Sequence, residues 1–230
     1  MAVVDVIIPA FNEEASIALV IRDIPELVRH IVVVNNNSND NTTENALREG
    51  AVVLDQPIQG YGSACLKGIK HVSAMSQPPD IVVFLDADYS DHPQELVDLI
   101  RPITNGNADI VIGSRANGKR EKGSMMIQQR FGNWLATALV RVFYGKKISD
   151  LGPFRAIRFE KLVELEMRDA TYGWTIEMQV KALKKEFCYC EVPVSYRKRI
   201  GTSKITGTIK GTILAGYKII TTIVKLRGKI

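Results

Sequence analysis

The sequence predicts an α/β fold: a mostly parallel central sheet with helices on both faces, and a basic amphipathic helix at the end of the chain. Three observations carry this. Short runs such as Val3–Ile8, His30–Val34 and Ile81–Leu85 are almost continuously apolar, as strands buried on both faces are. The stretches between them have helical length and spacing, the alternation that builds a parallel sheet. The polar and acidic loops Pro9–Glu14, Asn35–Thr42, Gln59–Gly62 and Asp86–Asp91 all follow apolar runs, so they meet at the carboxyl edge where such sheets bind ligands.

The elements follow in order. Val3–Ile8 is the first strand, and Pro9-Ala-Phe-Asn-Glu-Glu14 leads into a helix ending near Arg22. His30–Val34 is a strand, Thr42–Arg48 a helix closed by Gly50, and Ala51–Leu54 a third strand. Gly62–Met75 is a helix, Asp80–Leu85 the central strand, Pro93–Ile100 a helix and Asp109–Gly113 a fifth strand. Ala116–Ser124 is polar and basic without periodicity, which predicts a mobile loop. A helix from Gln129 to Tyr144, a turn Asp150–Arg155 into a short strand, a helix opened by Thr171–Glu177 and a strand within Glu186–Val194 complete the domain.

In the tail, Thr208 to Leu226, Lys210, Lys218 and Lys225 fall within one quadrant at about 100° per residue. Ile209, Ile213, Tyr217, Ile220, Ile223 and Val224 lie mostly opposite. The lysines rule out a membrane span. Such a helix either lies on an anionic membrane surface or packs its apolar side on the domain.

At 230 residues, with 46% hydrophobic and 24% charged residues, the chain is an ordinary globular protein. The expected organisation is a domain over residues 1–206, with halves 1–114 and 115–206, and a helix over 207–230. The halves are electrically opposite: 6 Lys/Arg against 16 Asp/Glu in residues 1–114, and 24 against 9 in residues 115–230. That polarity suits a cation on one side and an anionic partner on the other. No helix-turn-helix, zinc finger or aromatic-basic motif points to nucleic acid. Met1-Ala-Val-Val-Asp-Val enters a strand without a basic leader, so the expected location is cytoplasmic, with peripheral attachment to the cytoplasmic membrane face if the last helix binds lipid. Cys65, Cys188 and Cys190 are too few for a disulfide framework and lack zinc spacing.

The candidate chemistry centres on Asp86, Asp88 and Asp91 at the tip of the central strand. Crowded carboxylates repel unless a cation shares them, and hard ions with oxygen ligands, Mg²⁺ or Mn²⁺, suit the cluster. Gly60-Tyr-Gly-Ser-Ala-Cys65 begins like a dinucleotide fingerprint but has Cys65 for the third glycine and Pro78-Pro79 where an acidic residue belongs, so it is read as a glycine-eased turn near a phosphate. Tyr196–Lys204 is a basic, glycine-broken loop suited to phosphate oxygens.

Pro9-Ala-Phe-Asn-Glu-Glu14, the Asn35–Thr42 loop, Asp86-Ala-Asp88, Gly113-Ser-Arg115, Asp150…Phe154-Arg155 and Arg199-x-Gly-x-Ser-Lys204 stand in the order found in glycosyltransferase family 2. The chain resembles its polyprenyl-phosphate sugar transferase branch, which includes the dolichol-phosphate mannose and glucose synthases, over about residues 3–206. The resemblance implies a GT-A fold, a nucleotide-diphosphate sugar donor, a divalent metal and inversion at the anomeric carbon. It implies that Pro9, Ala10, Asn12 and Glu13 hold the nucleotide with Asn36, Asp40 and Lys67 in the same set, that Asp86 and Asp88 serve the metal diphosphate, and that Arg199 and Lys204 bind the donor phosphates. Arg115 and Arg130 match positions that grip an acceptor phosphate. Two departures stand out: Asn35-Asn36-Asn37-Ser38 replaces Asp-Asp-Gly-Ser, and Tyr-Ser-Asp-His-Pro after Asp88 replaces Leu-Gln-His-Pro, which puts Asp91 where a glutamine stands. A UDP-sugar ranks first as donor and GDP-mannose second. A hydroxyl acceptor would need Asp150 or Glu177 as base. A sugar-phosphate nucleotidyltransferase is the other class, but its glycine-rich, lysine-bearing phosphate loop is missing.

Overall fold

The computed structural model describes residues 2–201 and 209–228. Its elements are β1 (Val4–Ala10), α1 (Ile17–Arg22), β2 (Val28–Asn35), α2 (Thr42–Arg48), β3 (Val52–Asp55), α3 (Tyr61–Ser73), β4 (Ile81–Phe84), α4 (Leu96–Thr104), β5 (Ile110–Ser114), α5 (Ile127–Tyr144), β6 (Arg155–Arg158), α6 (Phe159–Glu164), α7 (Trp174–Lys184), β7 (Tyr189–Pro193) and α8 (Ile209–Arg227). Pro93–Glu95 forms a 3-10 turn ahead of α4. The strands make one sheet in the order β3-β2-β1-β4-β6-β5-β7.

The parallel register expected from the apolar runs holds on one side: β1 pairs in parallel with β2 and β4, and β2 with β3. β6 is antiparallel to both β4 and β5, while β7 returns to parallel beside β5. Successive side chains alternate between faces. Val6 and Ile8 of β1 and Val83 of β4 join α1 and α4 in one core, whereas Ile7, Val82 and Phe84 join α3 and α7 in the other. Phe84 and Trp174 meet edge to face at 5.9 Å, fixing α7 beneath β4.

A third cluster joins α5, α7 and α8 through Val140, Val180 and Ile223. The last helix therefore packs on the protein, with Ile219, Ile223 and Leu226 inward. The expected apolar face is only partly the packing face: Ile213, Leu214, Tyr217 and Val224 point outward. The sequence pattern left this open because α8 is apolar on both sides. Among the described residues no helix is long and apolar enough to cross a membrane. The Ala116–Ser124 stretch, expected to stand free, is tied to the basic loop by Tyr196 N–H donating to Lys119 O at 2.8 Å and Glu121 N–H to Tyr196 O at 2.9 Å.

Candidate active site

At the carboxyl ends of β1, β2 and β4, Pro9, Ala10, Glu13, Asn36, Gly60, Tyr61, Asp86 and Asp88 line a cavity of ≈ 280 Å³ closed by Tyr172 and Arg199. The expected convergence of distant loops is thus present, and so is much of the expected donor set. Asn12, Asp40 and Lys67 are exceptions. Asn12, at φ 54, accepts from Asn39 N–H at 2.9 Å and ties the first loop to the second. Asp40 accepts from Glu14 N–H at 3.2 Å and Thr42 N–H at 3.0 Å, and although burial opposes it, Thr42 holds its carboxyl below the ordinary range. Both side chains shape the rim rather than line it. Lys67 is exposed on α3 and does not line this cavity. Lys204 lies outside the described residues.

Asn36 lines the cavity but is 6% exposed and fully occupied. Its amide NH₂ donates to Gln56 O at 3.0 Å and Ile58 O at 2.8 Å, while its carbonyl accepts from Gly60 N–H at 2.8 Å. This gives the Asn-for-Asp departure a physical reason. Only an amide supplies two donors and an acceptor here; a carboxylate would face two carbonyl oxygens.

The aspartate tip divides its work. Asp88 Oδ1 accepts from Ser90 N–H at 2.9 Å, and Asp88 Oδ2 lies 3.1 Å from Arg199 Nη1. Arg199 Nη2 reaches Glu13 Oε1 at 2.8 Å, so one guanidinium joins β1 to the tip of β4. Asp86 Oδ1 is buried without a hydrogen-bond partner. Burial, then Asp88, raises its carboxyl to about 6, against the pull of Arg155. Asp91, expected beside them, is not among the residues that line this cavity. Both its oxygens are buried and unpartnered, and burial, then Asp86, holds its carboxyl well above the usual range. Among the described residues no three His, Cys, Asp or Glu side chains are grouped to hold a metal ion. The donors that remain, Asp86 and Asp88 facing one cavity with one orphaned buried oxygen, fit a Mg²⁺ or Mn²⁺ ion that takes its other ligands from a substrate phosphate and water.

The residues expected to grip an acceptor phosphate lie apart from this cavity. Arg115, 11% exposed, is locked to Asp150: Nε to Oδ2 at 2.9 Å, Nη2 to Oδ1 at 2.7 Å, with the Arg115 N–H donating to Oδ2 at 2.7 Å. Burial opposes its charge, but Asp150 outweighs burial and raises the guanidinium above its ordinary value. Its face covers the Tyr196 ring at 5.1 Å. Arg130 lines a second cavity of ≈ 240 Å³ with Arg120, Asn133, Trp134, Ser149 and Asp150. Glu177, the other candidate base, lines neither of these two cavities. It accepts from Asp169 N–H at 2.7 Å and pairs with Lys181 at 2.8 Å. Sequence reasoning missed Arg120 and Tyr172; the basic run Lys119–Lys122 was the available signal for Arg120, and nothing marked Tyr172.

Comparison with known proteins agrees with this geometry. A model of glycosyl transferase family 2 matches residues 5–165. An uncharacterised glycosyltransferase of Mycobacterium tuberculosis is 33% identical over 213 residues, 92% of this chain and 94% of that protein. The dolichyl-phosphate hexose transferase of Haloferax volcanii is 31% identical over 204 residues, 87% of this chain and 85% of its own. Among solved structures, glucosyl-3-phosphoglycerate synthase from M. tuberculosis in complex with Mn²⁺, uridine diphosphate and phosphoglyceric acid shares the fold, with a TM-score of 0.78 at 22% identity over 100% of this chain and 80% of the other. The sheet edge, the paired aspartates at its centre and a family match across more than half the length lead to one assignment: the chain belongs to glycosyltransferase family 2.

Proposed function

We propose that the protein moves a hexose from a UDP-sugar to a polyprenyl phosphate, with inversion at the anomeric carbon and dependence on Mg²⁺ or Mn²⁺. The observation that carries the choice of acceptor is the fate of the two candidate bases. A hydroxyl acceptor must lose a proton, and both candidate carboxylates are already engaged by cations: Asp150 pairs with Arg115, and Glu177 with Lys181 and the backbone before α7. A phosphate with its second pKa near ~6 is largely dianionic at neutral pH and has no proton to remove.

Such a phosphate fits the cavity that holds Arg120 and Arg130, where charge-assisted hydrogen bonds orient it. Its oxygen attacks the anomeric carbon as the bond to the diphosphate breaks, and the nucleoside diphosphate leaves with both electrons. Asp86 and Asp88 would hold the divalent ion, which supplies neutralisation of the departing diphosphate. Arg199 adds a fixed positive charge beside it, and Asn36 keeps the Gln56–Gly60 wall in place. The H. volcanii relative, named for a dolichyl-phosphate acceptor, supports the lipid carrier. So does an outward apolar stripe on α5, Ile127, Phe131, Trp134 and Val142, which begins beside the Arg130 cavity and suits an isoprenoid chain or a membrane surface.

A phosphorylated small molecule is the second reading, since the Arg120/Arg130 cavity is small and holds two guanidinium groups and a fold neighbour was solved with phosphoglyceric acid. Parallel assays with a short polyprenyl phosphate and with phosphoglycerate, each offered UDP- and GDP-sugars, decide between them. Transfer to phosphoglycerate alone would overturn the lipid reading.

A further inference from the structure

Tyr172 reaches the donor cavity from an unexpected direction. It sits in the Arg168–Gly173 connection before α7, far in sequence from the other lining residues. Asp169 organises that connection. Its Oδ1 accepts from Thr171 N–H at 2.8 Å and Thr171 Oγ1–H at 3.0 Å, folding the chain into the turn that precedes Tyr172. The neighbouring backbone is pressed onto the glycine turn at the start of α3: Ala170 O accepts from Ser63 N–H at 2.8 Å. A Cβ at Gly60 would lie 2.2 Å from Ala170 O, and one at Gly62 would lie 2.0 Å from Asp169 O. Those glycines are required here for close approach rather than for a dinucleotide. The turn leading to Tyr172 is therefore pinned on one side by the donor wall itself.

On its other side it is held by the last helix. Lys218 of α8 lies 3.0 Å from Asp169 Oδ2, the oxygen not used by Thr171. The approach is tight nearby as well, for a Cβ on Gly173 would meet both Asp169 Oδ2 at 2.4 Å and Thr222 Oγ1 of α8 at 2.7 Å. Resting on the reading of the first cavity as the donor site, we propose that Lys218 is a positioning residue for the nucleotide-sugar: through Asp169 it fixes the turn that presents Tyr172 to the donor. In this arrangement the C-terminal helix contributes to donor affinity without touching the donor.

The test is a double-mutant cycle on the full chain, reading UDP-glucose affinity in the presence of Mn²⁺ by calorimetry, with Tm and kcat recorded alongside. Lys218→Met removes the charge but keeps the apolar stem. It is expected to weaken UDP-glucose binding about fivefold, to raise the donor KM by a similar factor and to change kcat by less than about twofold, within the range of a half-exposed ion pair. Lys218→Arg is expected to restore affinity. Tyr172→Ala weakens binding by itself, and adding Lys218→Met to it is expected to cost nothing more, because the residue through which Lys218 acts is gone. Two results would overturn the inference: wild-type affinity in Lys218→Met, whatever its Tm, or a full and additive loss in the double variant. Failure of the wild-type protein to bind UDP-glucose would instead overturn the donor-site reading on which the inference stands.

Discussion

Asp88 and Arg199 face each other at the mouth of the donor cavity, Oδ2 to Nη1 at 3.1 Å, and the same guanidinium pairs with Glu13 across it. One cation thus holds together the two strand tips between which a diphosphate would sit. A phosphate oxygen can replace either carboxylate partner without leaving the guanidinium unpaired.

From this, Arg199→Ala is expected to weaken UDP binding more than ~10-fold, the loss of a charge-assisted contact worth about 1.5–3 kcal/mol. Asp88→Asn is expected to abolish Mn²⁺-dependent turnover while leaving Tm within a few degrees, because Ser90 can still donate to the remaining oxygen. Calorimetric titration with UDP, with and without Mn²⁺, separates the two effects.

Asn36→Asp tests the account of the asparagine loop. The substitution restores the residue usual in the family but sets a carboxylate against Gln56 O and Ile58 O. A destabilisation of about 2 kcal/mol and a weaker donor site are expected, from a buried acceptor left without donors. Chemical denaturation measures the first effect; a stabilised variant would refute the bracing role.

Arg115→Ala leaves Asp150 as a buried carboxylate without its cation. The expected cost is about 3–5 kcal/mol of stability, so loss of activity in that variant reports folding as much as acceptor binding. Arg130→Ala, on an exposed helix face, is the cleaner probe. It should raise the acceptor KM while donor KM and Tm stay near wild type; equal damage to both substrates would contradict its role.

The raised carboxyl of Asp86 gives a pH dependence with a definite sign. Unfolded, the group releases its proton near ~4; folded, it holds it until about 6. Between those values the native state binds more protons, so the metal-free protein loses stability as pH rises through that window. Binding of Mn²⁺ needs the ionised form and is expected to strengthen over the same rise. Asp86→Asn should make the stability profile shallower, leaving the share that the buried carboxyl of Asp91 contributes in the same direction; an unchanged profile would place the titrating group elsewhere.

Much of this was legible in the sequence. Continuous apolar runs marked β1, β2 and β4, and the loops after them mark the active edge because strand direction alone fixes where they gather. Asp86 and Asp88 follow a strand buried on every residue and could be located from that apolar run and the acidic loop after it. Side chains that serve the backbone were harder. Asn12 and Asp40 carry the chemistry of ligands but spend it on loop amides, and composition does not distinguish the two uses. The Arg115–Asp150 lock joins residues thirty-five positions apart, and the linear order gives no sign that this candidate base is already paired. The antiparallel β6 and the inward arrival of Tyr172 depend on tertiary packing that no local period encodes. In α8 both sides are apolar, so the helical wheel predicted amphipathicity but not which side would meet α5 and α7.

Exposure on the α5 stripe makes a separate demand. Phe131 and Trp134 are 60% and 61% exposed, with ring centroids 5.7 Å apart. Replacing both with serine is expected to reduce sedimentation with anionic phospholipid vesicles and to raise KM for a long-chain polyprenyl phosphate, with little effect on a water-soluble short-chain acceptor. Identical behaviour toward both acceptors would argue against a lipid-facing role.

The central claim, hexose transfer from a UDP-sugar to a phosphate carried on a polyprenol, is tested most directly by product stoichiometry. The protein is incubated with UDP-glucose, Mn²⁺ and a short polyprenyl phosphate, and released UDP is compared with glycosyl-phospholipid formed. Equimolar UDP and an acid-labile glycosyl phosphodiester, both lost in Asp88→Asn, are expected. Donor consumption only with a hydroxyl acceptor, or release of pyrophosphate from a nucleoside triphosphate in place of UDP, would contradict it.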